Sequence, residues 1–163
     1  MNVIEDTSVA GFKIIIHNPE YHTIDGEKVL KIKHNRILKA IFVALIDKPG
    51  SFTGNELKFV REYLDLTQTE FVDHFVLSGT HARVSKWEKH EDDCPDIEPA
   101  VAVAIRMGMA RKFEEIDQAS YKAKLDKMAD EGILIRKRDL YLTLVARVKM
   151  ERKDIHIDLQ SVA

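Results

Sequence analysis

Between Asn35 and Met109 the apolar residues return every three or four positions, interrupted by residues that start or stop helices. This rhythm confines the middle of the chain to a series of short amphipathic helices. Ile37, Leu38, Ile41, Phe42, Leu45 and Ile46 form the first stripe, which Pro49 and Gly50 close. A second helix begins at Thr53 or Asn55, either of which offers a capping oxygen. It carries Leu57, Val60, Arg61 and Leu64 on one face and ends near Asp65. Thr67 caps a third helix holding Phe71, Val72 and Phe75, and Glu70 stands three residues on, where a capping box requires it. After a break containing Ser78 and Gly79, a helix from Thr80 to about Lys89 buries Val84 and Trp87; Glu91 to Asp93, Pro95 and Pro99 stop it. One more helix is predicted from about Glu98 to Met109.

The flanks follow a different period. Phe12 to Ile16 and Lys28 to Lys33 read as two short strands joined through the turn-forming pairs Asn18-Pro19 and Asp25-Gly26, so a small hairpin is expected. Beyond Arg111, Phe113, Ile116, Tyr121, Leu125 and Met128 line one further helix. Leu140 to Val148 and Ile155 to Leu159 alternate as a second hairpin would. The expected fold is mainly α, with a small N-terminal β-hairpin and a C-terminal extension of a helix plus a β-hairpin. Its parts are residues 1–50 (hairpin and first helix), 51–110 (the central helices) and 111–163 (the extension, whose apolar residues need the body or another chain to cover them).

Several function classes find no support. The longest apolar run, Ala40 to Ile46, is far short of the roughly 20 residues that cross a bilayer, and Met1 to Asp6 is acidic where a signal peptide is basic, so a cytoplasmic protein with no membrane partner is expected. Cys94 is the only cysteine, which excludes an internal disulfide and a cysteine-built zinc site. His90 and Cys94 have a spacing that seats two metal ligands, but Pro95 breaks the helix and no second ligand pair is visible; neither metal nor other cofactor is expected. As a nucleophile Cys94 stands among Asp92, Asp93 and Asp96, the wrong surroundings for a thiolate. Gly108 and Gly132 stand alone, so no glycine-rich phosphate loop exists, and the chain is not expected to be an enzyme.

The net charge is −2, and the stretch from Ser51 to Asp93 holds five Lys or Arg against nine Asp or Glu, which opposes indiscriminate DNA binding. The basic residues are uneven, however: His81, Arg83, Lys86 and Lys89 fall within three helical turns, with Glu88 the only acid among them. A helix-turn-helix needs a first helix across the DNA backbone, a sharp turn, and a second helix whose N-terminal side chains enter the major groove. Leu66 to Phe75 and Thr80 to Glu88 supply these parts.

The two ends of this stretch, Leu66-Thr67-Gln68 and Val84-Ser85-Lys86-Trp87-Glu88, resemble the helix-turn-helix of Xre and phage-repressor regulators, with a turn longer than is usual there. Upstream, Lys48 to Arg61 and the helix before it are similar to the DNA-binding half of MqsA-type antitoxins, whose N-terminal zinc module has no counterpart in these cysteine-poor residues. The resemblance covers about Tyr21 to Lys89. It implies that His81, Ala82 and Lys86 face base edges and that Gln68 meets a phosphate at a helix N-terminus. It also implies an antitoxin-type autorepressor with a toxin protein as partner.

The chemistry of the side chains agrees with those positions. Lys86 can donate to guanine, His81 can donate or accept at a base edge, and the Ala82 methyl can touch a thymine methyl. Arg83 and Lys89 suit phosphate, and Thr80 and Ser85 complete the DNA-facing set. Taken singly, each basic residue is equally a solvated surface charge and Gln68 a capping aid; Trp87, in phase with Val84, belongs to the core. The basic run Arg136 to Arg138 reads as a solvated turn before a contact to flanking DNA. The expected function is sequence-specific binding of double-stranded DNA in transcriptional regulation, as a homodimer reading two half-sites. The alternative is a protein interaction module that keeps the helix-turn-helix as scaffold without binding DNA.

Overall fold

The computed structural model describes residues 3–31, 34–48, 50–75, 79–113, 147–151 and 154–158, and among them are two sheets and five helices. Strands β1 (Val3–Asp6), β2 (Ile14–His17), β5 (Arg147–Glu151) and β6 (Asp154–Asp158) form a four-stranded sheet in the order β1-β2-β6-β5. β2 runs antiparallel to β1 and parallel to β6, which pairs antiparallel with β5, so the two ends of the chain share one sheet. Ile14 lies opposite Ile155, and these two with Ile16 are almost wholly buried. The alternation of β2 is the reason: its even positions need a covered face, and its backbone needs a partner on each side.

The expected hairpin between Phe12–Ile16 and Lys28–Lys33 does not form. Asp25 and Gly26 do make a turn, with φ of 50° and 86°. A two-residue turn with positive φ at both positions matches the strand twist and pairs its immediate neighbours. Those neighbours are β3 (Tyr21–Ile24) and β4 (Glu27–Leu30), with Ile24 opposite Glu27 and Tyr21 opposite Leu30, and together they form a separate two-stranded ribbon. The C-terminal hairpin is present, with β5 beginning at Arg147. The helix expected beyond residue 113, the basic run at 136–138 and the strand expected over 140–146 lie outside the described residues.

The helices are α1 (His34–Ile46), α2 (Gly54–Tyr63), α3 (Gln68–Phe75), α4 (His81–Glu88) and α5 (residues 99–113), giving a mixed, α-dominant fold. α1 was expected to be amphipathic, yet every residue from Ala40 to Ile46 is buried, as fits a helix packed between the sheet and α2. Phe12, Phe59, Tyr63 and Phe42 continue that packing as an aromatic row, with neighbouring ring centroids 5.7, 5.9 and 4.6 Å apart. Among the described residues no helix is long and apolar enough to cross a membrane.

The link from α1 to α2 hides a charge pair that the sequence does not announce. Lys48 Nζ lies 2.6 and 2.8 Å from the two carboxylate oxygens of Glu56 and donates to the Ser51 carbonyl at 3.1 Å; both side chains are under 5% exposed. Glu56 also closes a capping box. Its carboxylate accepts from the Thr53 amide at 2.9 Å, and its own amide donates to Thr53 Oγ1 at 3.2 Å, which makes Thr53 the cap of α2. Arg106 of α5 lies over the Phe52 ring, 4.3 Å from its centroid, and donates to the carbonyls of Lys48 and Gly50. Burial pushes the Arg106 guanidinium below its ordinary pKa, and the nearby charge of Glu56 acts against that shift.

Candidate nucleic-acid interface

α4 is short, eight residues, and its place is set by what holds its inner side. Val84 and Trp87 are buried and point it at the core. Glu88, one turn beyond Val84, receives Arg61 of α2 as a fork, Nε to Oε1 at 2.6 Å and Nη2 to Oε2 at 3.1 Å. Arg61 Nη1 continues to the Leu66 carbonyl at 3.1 Å. The hydrogen bond to Glu88 is the main reason the Arg61 guanidinium holds its proton more strongly than usual. Gln68 Nε2 donates to the same carboxylate at 3.0 Å, so Glu88 ties α4 to both α2 and α3.

A second restraint lies at the end of α4. The Gly54 amide donates to the Asp93 carbonyl at 3.1 Å and the Asn55 amide to the Glu91 carbonyl at 2.8 Å, while Asn55 Nδ2 reaches Asp92 Oδ1 at 3.0 Å. The approach is close enough to require glycine. A Cβ at Gly54 would sit 2.6 Å from the Trp87 carbonyl oxygen, 2.7 Å from the Glu91 nitrogen and 2.9 Å from the Glu88 oxygen, all backbone atoms. Thr67 and Glu70 bond reciprocally at the start of α3, as the sequence predicts. The Thr67 amide and hydroxyl, in that order, hold the exposed Glu70 carboxyl below its ordinary pKa.

With the inner side so occupied, the outer arc of α4 is chemically uniform. At 100° per residue, His81, Ser85, Lys89, Ala82 and Lys86 follow one another around the helix. His81, Ala82, Lys86 and Lys89 are exposed and Ser85 half-buried. Among the described residues no hydrogen bond or ion pair holds the side chains of His81, Lys86 or Lys89. Thr80 caps the helix with an extended backbone but no side-chain hydrogen bond, leaving its hydroxyl beside His81. The only acid of α4, Glu88, borders this arc about 20° from His81 around the helix, but its carboxylate is 9% exposed and bound by Arg61 and Gln68.

Two of the expected contact residues are placed differently from this set. Gln68 lies at the α3 N-terminus, half-buried, with an amide proton committed to Glu88. Arg83 sits on the flank: its guanidinium lies over Trp87, 5.0 Å from the ring centroid, and Nη2 pairs with Glu98 at 3.1 Å. Arg61, read in the sequence as part of an apolar stripe, is the residue that orients α4. The available signal was an arginine in phase with Leu57 and Val60, together with a single acid on the helix it meets.

Four of the nine acids of residues 51–93 are engaged within the structure: Glu56 is buried on Lys48, Glu88 lies on Arg61, Glu70 on Thr67, and Glu62 beside Lys58 and Arg61. Asp65, Asp73, Glu91, Asp92 and Asp93 are exposed, the last three just beyond α4. Among the described residues no group of three or more His, Cys, Asp or Glu is gathered as a metal site would need, and Cys94 is exposed. Compared with known families, curated proteins and solved structures, the chain matches none.

Proposed function

We propose that the chain binds double-stranded DNA in a sequence-specific way, with α3 and α4 acting as a helix-turn-helix and the outer arc of α4 entering the major groove. The observation that carries this reading is the acid-free arc of His81, Ala82, Ser85, Lys86 and Lys89, held outward by a helix whose single carboxylate is drawn inward by Arg61 and Gln68. Lys86 and His81 supply base-edge donors and Ala82 a methyl contact, each good bidentate contact being worth about 1 to 3 kcal/mol of discrimination. Lys89 supplies phosphate attraction. A single eight-residue helix reads few base pairs, so the working form is a homodimer and the role transcriptional regulation. The antitoxin-type autorepressor, with a toxin protein as second partner, is the specific version that the resemblance over about Tyr21 to Lys89 implies, through Lys48 to Arg61.

One observation favours a different reading. Arg83, expected to grip phosphate, is already paired with Glu98, as suits a scaffold that presents α4 to a protein instead of DNA. Selection from a random duplex pool separates the two. The DNA reading predicts enrichment of a two-part site with half-sites about one helical turn apart, and the scaffold reading predicts none. An unenriched pool at low salt overturns the proposal.

A further inference from the structure

The end of α3 and the outer side of α5 border a groove of about 600 Å³, a size typical of small-molecule sites. Its two ends differ in chemistry. Val101, Ile105 and Met109 turn into the core, which leaves Ala100, Val103, Ala104 and Met107 to line the groove at three- and four-residue spacing. Val103 is 54% and Met107 65% exposed, so this wall is apolar and open to water. At the other end Gly108 brings α5 against α3, because a Cβ there would collide with the ring of buried Phe75. His74, Arg111 and Lys112 surround a smaller recess of about 90 Å³ at that contact, and it shares His74, Phe75 and Arg111 with the groove. Among the described residues no acid lines the smaller recess, and Asp73 borders only the wider part. Among them, too, no hydrogen bond or ion pair engages Arg111.

We propose that this groove binds a small apolar molecule that ends in a single carboxylate. The apolar part lies along Val103 and Met107, and the carboxylate enters the smaller recess, where the Arg111 guanidinium can donate to both of its oxygens and Lys112 and His74 add further donors. The difference between the two ends selects this class. A neutral apolar molecule leaves the basic end without a counter-charge, an amine meets it with like charge, and an inorganic anion covers none of the apolar wall. The site stands whether or not α4 reads DNA, since none of its residues belongs to the outer arc of that helix.

Titration of the full chain with octanoate, octylamine and acetate, followed through its backbone amide resonances, tests this. Octanoate is expected to saturate with a dissociation constant of about 1 mM or below and to move the amides of Phe75, Val103, Met107 and Arg111 most. Octylamine and acetate should bind at least about tenfold more weakly, the first lacking the negative charge and the second the apolar part. Arg111→Gln and Val103→Glu, both at exposed positions, are each expected to weaken octanoate by about tenfold or more with circular dichroism unchanged. Octanoate that does not saturate, shifts centred elsewhere, octylamine or acetate binding as tightly, or unchanged affinity in either variant overturns the proposal. So does octanoate binding that is lost as the protein is concentrated while sedimentation shows a dimer forming, because a second copy then covers the groove.

Discussion

Charged residues do opposite work at the α1–α2 junction and on the outer arc of α4. At the junction Lys48, Glu56 and Arg106 are buried or half-buried, and their hydrogen-bonding capacity is spent on one another and on backbone carbonyls. On α4, Lys86, Lys89 and His81 are exposed, and the helix's own acid, Glu88, is bound by Arg61. A lysine as such says nothing of function; the location of its partners does. Charges paired in the interior hold the scaffold, and exposed ones without a protein partner are solvated and accessible to a ligand.

That contrast predicts a stability loss at the junction with no change in sequence preference, and the reverse for the exposed residues on the outer arc of α4. Lys48→Met strands the Glu56 carboxylate in the core and should cost about 3 to 5 kcal/mol of unfolding free energy in urea titration. Loss of less than about 1 kcal/mol would mean that the carboxylate finds water, and the contrast would blur. Gly54→Ala forces α2 away from the backbone at the end of α4, with an expected cost of about 1 to 3 kcal/mol by the same titration and weakened binding to every duplex alike. Glu88→Gln keeps the shape but removes the charge that draws Arg61 and Gln68, and should cost about 1.5 to 3 kcal/mol; a neutral effect would show that packing of Val84 and Trp87 alone positions α4.

The smallest effect is that of pH on the α3 cap. Glu70 has a depressed pKa in the folded state, so its contribution is full above the ordinary carboxylate range and lost as pH falls through the folded value. Thermal melts of the wild type and Glu70→Gln should therefore diverge near neutrality and converge in acid. Divergence that grows on acidification would contradict the Thr67 bond as its cause.

The helical middle was legible because its signals are local. Thr53 with Glu56 and Thr67 with Glu70 are caps that lie three residues apart, and Val84 and Trp87 are one turn apart, so spacing alone locates them. The sheet was not, because its partners are distant in sequence. The alternation of Ile14 and Ile16 marks a strand, but nothing near it points to Ile155 as the residue opposite. Tyr21 to Ile24 lacks a buried face altogether, so it carries no alternation to read, and only the Asp25-Gly26 turn defines it. The outer arc of α4 was visible as residue types at helical spacing. Its support was not: Arg61 reads as part of a stripe, and nothing in the spacing marks Lys48 for burial, yet Glu88 and Glu56 lie opposite them.

The central claim is that the outer arc of α4 reads base edges. The direct measurement is the affinity of the protein for duplex DNA from upstream of its own coding sequence, against a scrambled duplex, at two salt concentrations, for the wild type and a His81→Ala, Lys86→Ala variant. The account predicts a preference for the upstream duplex that the variant loses, with its unfolding free energy changed by less than about 0.5 kcal/mol. Lys89→Ala should leave the preference intact while reducing the salt slope by about 1. Equal binding of both duplexes by the wild type, or a preference that survives in the double variant, would contradict it.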